Sequence, residues 1–582
     1  MRLLAILLLS TVVAAQGGGG PGGGGPGGPG GPGGPGGPGG PGGGGPGGGG
    51  PGGGGPPPLP PALAPVPVPA QNPITAEKAI LGKLLFWEEQ MSSNNRVACG
   101  TCHRSDAGGG DLRRNRNPGP DGVQNTADDV WASPSLRRSD DANRYTPDPV
   151  FGFRNQVTGR QSQGFLTAAW FTELFWDGRA SSTFTDPDTG NVVVSQGGAL
   201  ESQAVGPLVS SAEMAHDARQ WHQITGKLET VRPMALASNL PADMSQAIAG
   251  GVSYPDLFQA AFGTSDITAA RIGLALATYQ RTVVPNQSPY DQFAAGNPAA
   301  MTPQQHNGLQ VFTGPGRCVI CHSGGLFSDD SFHNLGIRPI AEDVGRQAVT
   351  NNPADAGRFK TPSMRNVGLR SSFMHNGQFT NLADVVQFYV NGGGPFAPNK
   401  SPLLLPLNLS PQQQSDLVAF LDGALTDPRV SQQLPPFDRP TLLSETTPSA
   451  GQQAGIPTFG SGNTFPFILA GTPANLGNTE FKLGIYNALG GAPTTLVISQ
   501  GLSFSNINGV HVNVDLAASP LFITGLLSGP AGVPGEGYGT FNVGVPDDPA
   551  LAGLVLYMQW FVADPGAASG MSATRSGRVA LF

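Results

Sequence analysis

The sequence predicts a multidomain chain: two mainly helical units in tandem, followed by an antiparallel β-sandwich. Three observations predict it. Helical patterns, broken by long Gly/Pro/Asp loops, run from about residue 73 to about residue 428. All four cysteines and seven of the eight histidines fall inside that stretch. Past about residue 455 the apolar pattern changes to strict alternation, punctuated by Gly, Asn, Asp and Pro.

The elements follow in order. Met1-Arg2 and the apolar run from Leu3 to Ala15 read as an export signal cleaved after Ala15, because the run falls short of the roughly 20 residues that a membrane span needs. Residues 16–72 are Gly- and Pro-rich and are expected to be a disordered spacer. The Gly-Gly-Pro register breaks after about residue 42, which argues against a collagen triple helix. Thr75 is a candidate N-cap for an amphipathic helix through Phe86. Ser410-Pro411 opens the last helical run, with Ser at the cap and Pro in the first turn. Residues 429–455 read as a second, polar linker. In 456–582, Phe481, Leu483 and Ile485 alternate, as do Val510, Val512 and Val514. Leu554, Leu556, Met558 and Trp560 form one face of a strand, and Val555, Tyr557 and Gln559 form the other.

Net charge is −8 and only 12% of residues are charged. No basic patch is present to neutralise phosphates, so nucleic acid is not an expected partner, and no later segment is apolar enough to span a membrane.

The chemistry lies in the cysteines. Cys99-Gly100-Thr101-Cys102-His103 and Cys318-Val319-Ile320-Cys321-His322 are both C-x-x-C-H. Two thiols at this spacing can add to the two vinyl groups of one haem, and the adjoining His then meets the iron. Disulfides or a four-Cys zinc site would ignore the His after each pair. The expected cofactors are therefore two covalent c-type haems. Each helical unit becomes an all-α cytochrome c-like domain, the first spanning 73–295 and the second 296–428.

Further segments carry a family resemblance: Trp176-Asp177-Gly178-Arg179, Gln203 with Pro207 and Glu213-Met214, Lys360-Thr361-Pro362 with Arg365-Asn366, and Met374-His375-Asn376-Gly377. Over about residues 73–428 the chain resembles the bacterial diheme cytochrome c peroxidases and their MauG-type relatives. The resemblance implies that the first haem meets hydrogen peroxide and the second passes electrons to it. It implies Glu213 as the carboxylate that moves a proton between the peroxide oxygens, Gln203 as its partner in holding peroxide, and Trp176 as the relay between haems. On spacing alone, Ser210-x-x-Glu213 also fits a capping box, and Trp176 also fits a core aromatic.

The sequence departs from the family pattern at several places. Residues 183–198 look like an inserted hairpin before Gln203. The loop from Arg104 to Glu173 holds no His, so the first haem is expected to be open on its sixth side; His216 and His222 are read as helix-surface residues. Tyr389 stands where classical members carry a Met and MauG-type members a Tyr, making it the expected sixth ligand of the second haem, with Met374 and His375 as rivals. Helical packing with Leu382, Val385 and Val386 is the plainer reading of Tyr389. Lys360 and Arg365 are expected to pair with haem propionates, with salt bridging as the alternative. Relatives carry Ca²⁺ between the domains; here Gln161 replaces the Asn, with carbonyls from Arg370 and Ser372. The acidic stretch Asp121 to Asp129 is a second candidate Ca²⁺ loop or a solvated turn.

The expected function is a diheme oxidoreductase reacting with hydrogen peroxide. Its electrons would come from a small periplasmic cytochrome c or cupredoxin, or from a protein or organic substrate that it oxidises in MauG fashion. An O₂-dependent oxygenase and a non-catalytic electron-transfer cytochrome are the alternatives. The export signal implies a periplasmic or secreted protein.

Overall fold

The computed structural model describes residues 59–446 and 452–582. The export signal and most of the Gly/Pro spacer lie outside the described residues.

Thr75 caps the first helix, Ala76–Phe86, its Oγ1 accepting from Lys78 N at 3.2 Å. The helix is buried on nearly all sides rather than amphipathic. Lys83, although apolar neighbours surround it, donates to Asp243 and Asp438 at 2.8 and 2.9 Å, so its charge is paired within the interior. The helix crosses Ala269–Thr282 at Gly82, where an added Cβ would fall 1.9 Å from Ala275 O. In the second unit, Pro303–Thr313 crosses Pro411–Ala419 at Gly308, where a Cβ would fall 2.0 Å from Asp416 O. Ser410 caps that last helix reciprocally with Gln413, with Pro411 in the first turn. In each unit the first α-helix thus crosses a later one over a glycine, beside an apolar core of the unit's own.

The duplication extends to the seam between the units. Leu174 pairs with Ala180 around one turn and Phe373 with Phe379 around another. Both turns carry a positive φ at their second residue, Phe175 (66°) and Met374 (68°), and again at Gly178 (76°) and Gly377 (64°). The turns face each other and exchange equivalent backbone bonds: Gln161 N donates to His375 O and Lys360 N to Trp176 O, each at 2.8 Å. Trp176 and His375 are therefore counterparts across an approximate two-fold relation.

The helical units are not purely α. The expected hairpin at 183–198 is present as a ladder between Phe184–Thr185 and Val192–Val194. The 104–173 region adds ladders of Asn115–Asn117 with Val130–Ala132 and of Pro134–Arg137 with Asn155–Val157.

Neither described stretch of expected linker is free. In 59–72, carbonyls of Pro60, Ala64 and Pro67 accept from Tyr290, Trp170 and Arg281. A proline-rich strand keeps its carbonyls as acceptors, so low side-chain bulk did not prevent docking. In 429–446, Val430, Phe437 and Leu442 return to the core of the first unit.

The C-terminal region forms two larger antiparallel sheets and a two-stranded ladder of Ser505–Ile507 with Val510–Val512. One orders the strands Leu521–Leu526, Pro493–Ser499, Val555–Ala563, Ser576–Ala580 and Gln452–Ala454, with Met571–Ala573 also on Val555–Ala563; the other orders Phe467–Leu469, Lys482–Leu489 and Pro534–Asn542. Leu483, Ile485, Leu496, Ile498, Met558 and Trp560 from both sheets share one core. The Val555, Tyr557, Gln559 face of Val555–Ala563 is also covered at Gln559. Gln559 is fully buried, accepting from Asn513 N at 2.6 Å and donating to the carbonyls of His511 and Thr574 at 2.8 Å.

Candidate haem and peroxide site

Cys99–Cys102 is a single helical turn, and Gly100 is required there: a Cβ would lie 2.1 Å from the Trp87 ring. His103 N donates to Cys99 O at 3.0 Å, which places the imidazole directly after the thiols. His103 Nδ1 faces the carbonyls of Gln163 (3.1 Å) and Gly109 (3.3 Å). The second motif repeats this design on a 3₁₀ turn, with His322 N on Cys318 O at 2.8 Å and Nδ1 on Phe327 O at 2.9 Å. Burial lowers the pKa of both histidines, favouring the neutral ring. A neutral imidazole that donates through Nδ1 presents Nε2 to a metal. The four thiols are free. One cavity of about 810 Å³ is lined by both cysteine pairs and both histidines. The residues present therefore fit two covalently held haems.

The same cavity gathers most of the other predicted residues. Gln203, Glu213, Trp176, Gln161, Lys360, Arg365, Arg370, Met374, His375 and Tyr389 all line it. Gln203 lies on the helix Ala199–Val205. Ser210 to Glu213 frames a turn rather than a helix start, since Glu213 N donates to Ser210 O and the next helix begins only at Trp221; the capping-box reading falls. Burial pushes the Glu213 carboxyl above its ordinary range, opposed by Arg179 and by the Ser210 hydroxyl. Arg179 also stacks over Phe175 at 3.6 Å.

Trp176 is buried and donates from Nε1 to Gln161 O at 2.7 Å. Its ring lies 6.3 Å from that of His375, which stacks on Phe359 at 3.6 Å. His375 is held neutral by burial, its pKa lowered to about 3, and its Nε2 has no hydrogen-bond partner among the described residues. Arg160 ties the seam, binding Asp177 at 2.6 Å and Asp343 at 2.6 and 2.7 Å. Tyr389 lies on Leu382–Val390 near Cys321 and Cys318, whose proximity adds to the burial that raises its phenol pKa.

The two arginines differ in what occupies their guanidinium groups. Arg365 is committed elsewhere: it grips Asp291 through both terminal nitrogens at 2.9 Å and donates to the carbonyls of Gly325 and Pro285, a buried salt bridge that leaves no fork for a propionate. Arg370 was expected to offer only its carbonyl. Its guanidinium donates to Ser162 O at 2.8 Å and pairs with no carboxylate, and burial lowers it to about 10. Lys360 is buried, paired with Asp330, and stands 4.6 Å from the Phe332 ring.

Among the described residues both amide atoms of Gln161 and the Ser372 hydroxyl are buried without a partner; of these, the amide oxygen and the hydroxyl could face a cation, and the amide nitrogen could not. The Asp121–Asp129 stretch is a turn closed on itself: Asp128 and Asp129 accept from Asp121 N and Asn125 N, and Arg116 pairs with Asp129 at 3.0 Å. His216 is buried rather than on the surface, and neither it nor exposed His222 lines the cavity. His333 was not singled out from the sequence. It binds Asp329 at 2.8 Å beside Cys321, and those two groups raise its pKa to about 9.

A family model described as di-haem cytochrome c peroxidase matches residues 76–299. The cytochrome-c peroxidase IdrP1 of Pseudomonas sp. (strain SCT) is 31% identical over 425 residues, covering 67% of this chain and 90% of that protein. The chain belongs to the di-haem cytochrome c peroxidase family. Within this family it is also similar to the methylamine utilization protein MauG of Methylorubrum extorquens, at 31% identity over 366 residues covering 62% and 82% of the two chains. Among solved structures, a MauG-like protein associated with microbial copper homeostasis aligns at 25% identity and a TM-score of 0.47, covering 64% of this chain and 96% of that one. The protein is a cytochrome-c peroxidase-like diheme oxidoreductase. The family model does not extend into the β-rich C-terminal region. No helix among the described residues is long and apolar enough to cross a membrane.

Proposed function

We propose that this oxidoreductase reacts with hydrogen peroxide at the first C-x-x-C-H motif and directs the oxidising equivalents to a partner in MauG fashion. The observation that carries the reading is the single cavity that joins His103, Gln203 and Glu213 to Trp176 and onward to His322 and Tyr389. Bound haem at each motif would supply iron at which peroxide is reduced and from which a second substrate is oxidised. The chain's own residues do the rest. Gln203 holds the peroxide. Glu213, as carboxylate, takes a proton from the near oxygen and returns it to the far one, which leaves as water. A raised carboxyl pKa suits both halves of that task. Trp176 couples the two sites, with its indole fixed by Gln161 O.

Tyr389 is the sixth ligand of the second haem in this reading. Its helix follows the Met374 turn as the helix bearing Gln203 follows the Phe175 turn, so the two residues lie on corresponding helices of the repeat. An anionic oxygen ligand lowers a haem potential and favours oxidised states. Arg370 in place of Arg365, together with Lys360, serves the propionates, and Gln161, Arg370 and Ser372 hold a Ca²⁺ ion. The β-rich region is a sandwich packed beside the first haem domain, and the protein works outside the cytoplasm. The physiological partner is a small cytochrome c or cupredoxin that donates electrons, or a protein or organic molecule that loses them.

The test is peroxide consumption by the purified protein carrying both haems, with a reducing dye as donor. Turnover with saturable peroxide dependence supports the reading. Two six-coordinate haems and no consumption would instead make the protein an electron-transfer cytochrome.

A further inference from the structure

Among the side chains through which the C-terminal sheets meet the first haem unit is Lys482. Lys482 is 1% exposed, and its Nζ donates to Ser139 Oγ (2.9 Å), Asn143 O (2.6 Å) and Asn143 Oδ1 (2.6 Å). From there two routes lead to the Glu213 segment. Ser139 O accepts from Asp217 N at 2.9 Å. Asn143 Nδ2 donates to Ser93 O at 3.0 Å, and Ser93 holds Met214 O through its N (2.9 Å) and His216 N through its Oγ (2.8 Å). Residues 211–219 contain no helix or strand, so these bonds stand in for a secondary-structure ladder. Tyr145, on the same loop as Asn143, is tied to Thr540 and Gly471 of the C-terminal region.

We propose that Lys482 is a positioning residue, through which the β-rich region fixes the backbone that aims Glu213 into the cavity. The inference rests on the reading of Glu213 as the proton-transfer carboxylate. A buried ammonium is costly unless its protons are satisfied, and filling space alone would not require one. Here three acceptors, all on the loop that braces residues 214–217, satisfy it. The residue lies beyond 299, where the family model ends, so this support comes from outside the matched region.

The test uses the full chain with both haems. Lys482→Met removes the donor. Asn143→Gly removes the side-chain bonds to Lys482 and Ser93, the second route, without adding backbone strain, because Asn143 sits at φ 56° where glycine is at ease. Hydrogen exchange at residues 211–217 should quicken in both variants. The second-order rate with hydrogen peroxide should fall about tenfold or more, as expected of a misplaced catalytic group. Cyanide binding to the first haem and the spectrum of the second should stay unchanged, and Lys482→Arg should recover part of the rate. Unchanged exchange in Asn143→Gly overturns the proposal, as does faster exchange with an unchanged peroxide rate. Glu213→Gln separates the two claims: full peroxide reactivity in that variant removes the Glu213 reading itself, and the proposal with it, whatever the exchange data show.

Discussion

At the residue scale the account turns on three side chains. Glu213 must be ionised to accept a proton, and burial raises its pKa. The peroxide rate should therefore fall as pH drops through a value above the ordinary carboxylate range. Glu213→Gln should retain both haems, lose at least about a hundredfold in rate, the scale of a removed general base, and lose this acid limb. Stopped-flow mixing across pH checks it; wild-type kinetics in the variant would refute the assignment. Tyr389→Met should raise the potential of the second haem, since Met ligation favours the reduced state; a spectroelectrochemical titration with no shift would return the ligand to Met374 or His375. The C-x-x-C-H motifs were legible because a covalent cofactor imposes local spacing. The carbonyls of Gln163 and Phe327 that orient the two histidines were not, since any residue supplies a carbonyl. That Asp291 occupies the Arg365 fork, while the Arg370 guanidinium has no carboxylate among the described residues, was illegible for a related reason. Which guanidinium remains unpaired depends on Asp291, far away in sequence.

At the element scale, each unit depends on its helix crossing. A Cβ at position 308 would meet Asp416 O at 2.0 Å, and backbone cannot retreat as a side chain can. Gly308→Ala should cost roughly 1–3 kcal/mol as an overpacked contact. Thermal unfolding followed by circular dichroism measures this, and an unchanged midpoint would mean that the crossing is loose. The helix caps at Thr75 and Ser410 were readable because capping needs a particular residue type at a particular offset. The docking of 59–72 was not, because its proline-rich composition conceals the carbonyls it uses. The burial of Gln559 on the second face of Val555–Ala563 was not legible locally, because its partners Asn513, His511 and Thr574 lie elsewhere in the chain.

At the scale of the whole molecule, the two haem units meet through equivalent turns, and the β-rich region leans on the first of them. Arg160 bridges Asp177 and Asp343 across the seam. Arg160→Met leaves Asp343 without its cation, while Asp177 keeps Arg179 at 3.0 Å, and should destabilise the protein by roughly 1–3 kcal/mol, less than breaking a fully buried pair. It should also slow electron exchange between the haems, which pulse reduction would detect; unchanged exchange would show that the seam is held elsewhere. Two haem sites and their order along the chain were legible in the sequence. Their merging into one cavity, with Trp176 against His375, depended on a pairing of turns that no local motif encodes.

The measurement that tests the central claim most directly is optical and EPR spectroscopy of the fully oxidised protein before and after one equivalent of hydrogen peroxide. The account predicts a rapid spectral change at both haems without prior reduction, because in this reading the first site would be open to peroxide and the second, held by Tyr389, would share the oxidising equivalents. No reaction until one haem is reduced would contradict it.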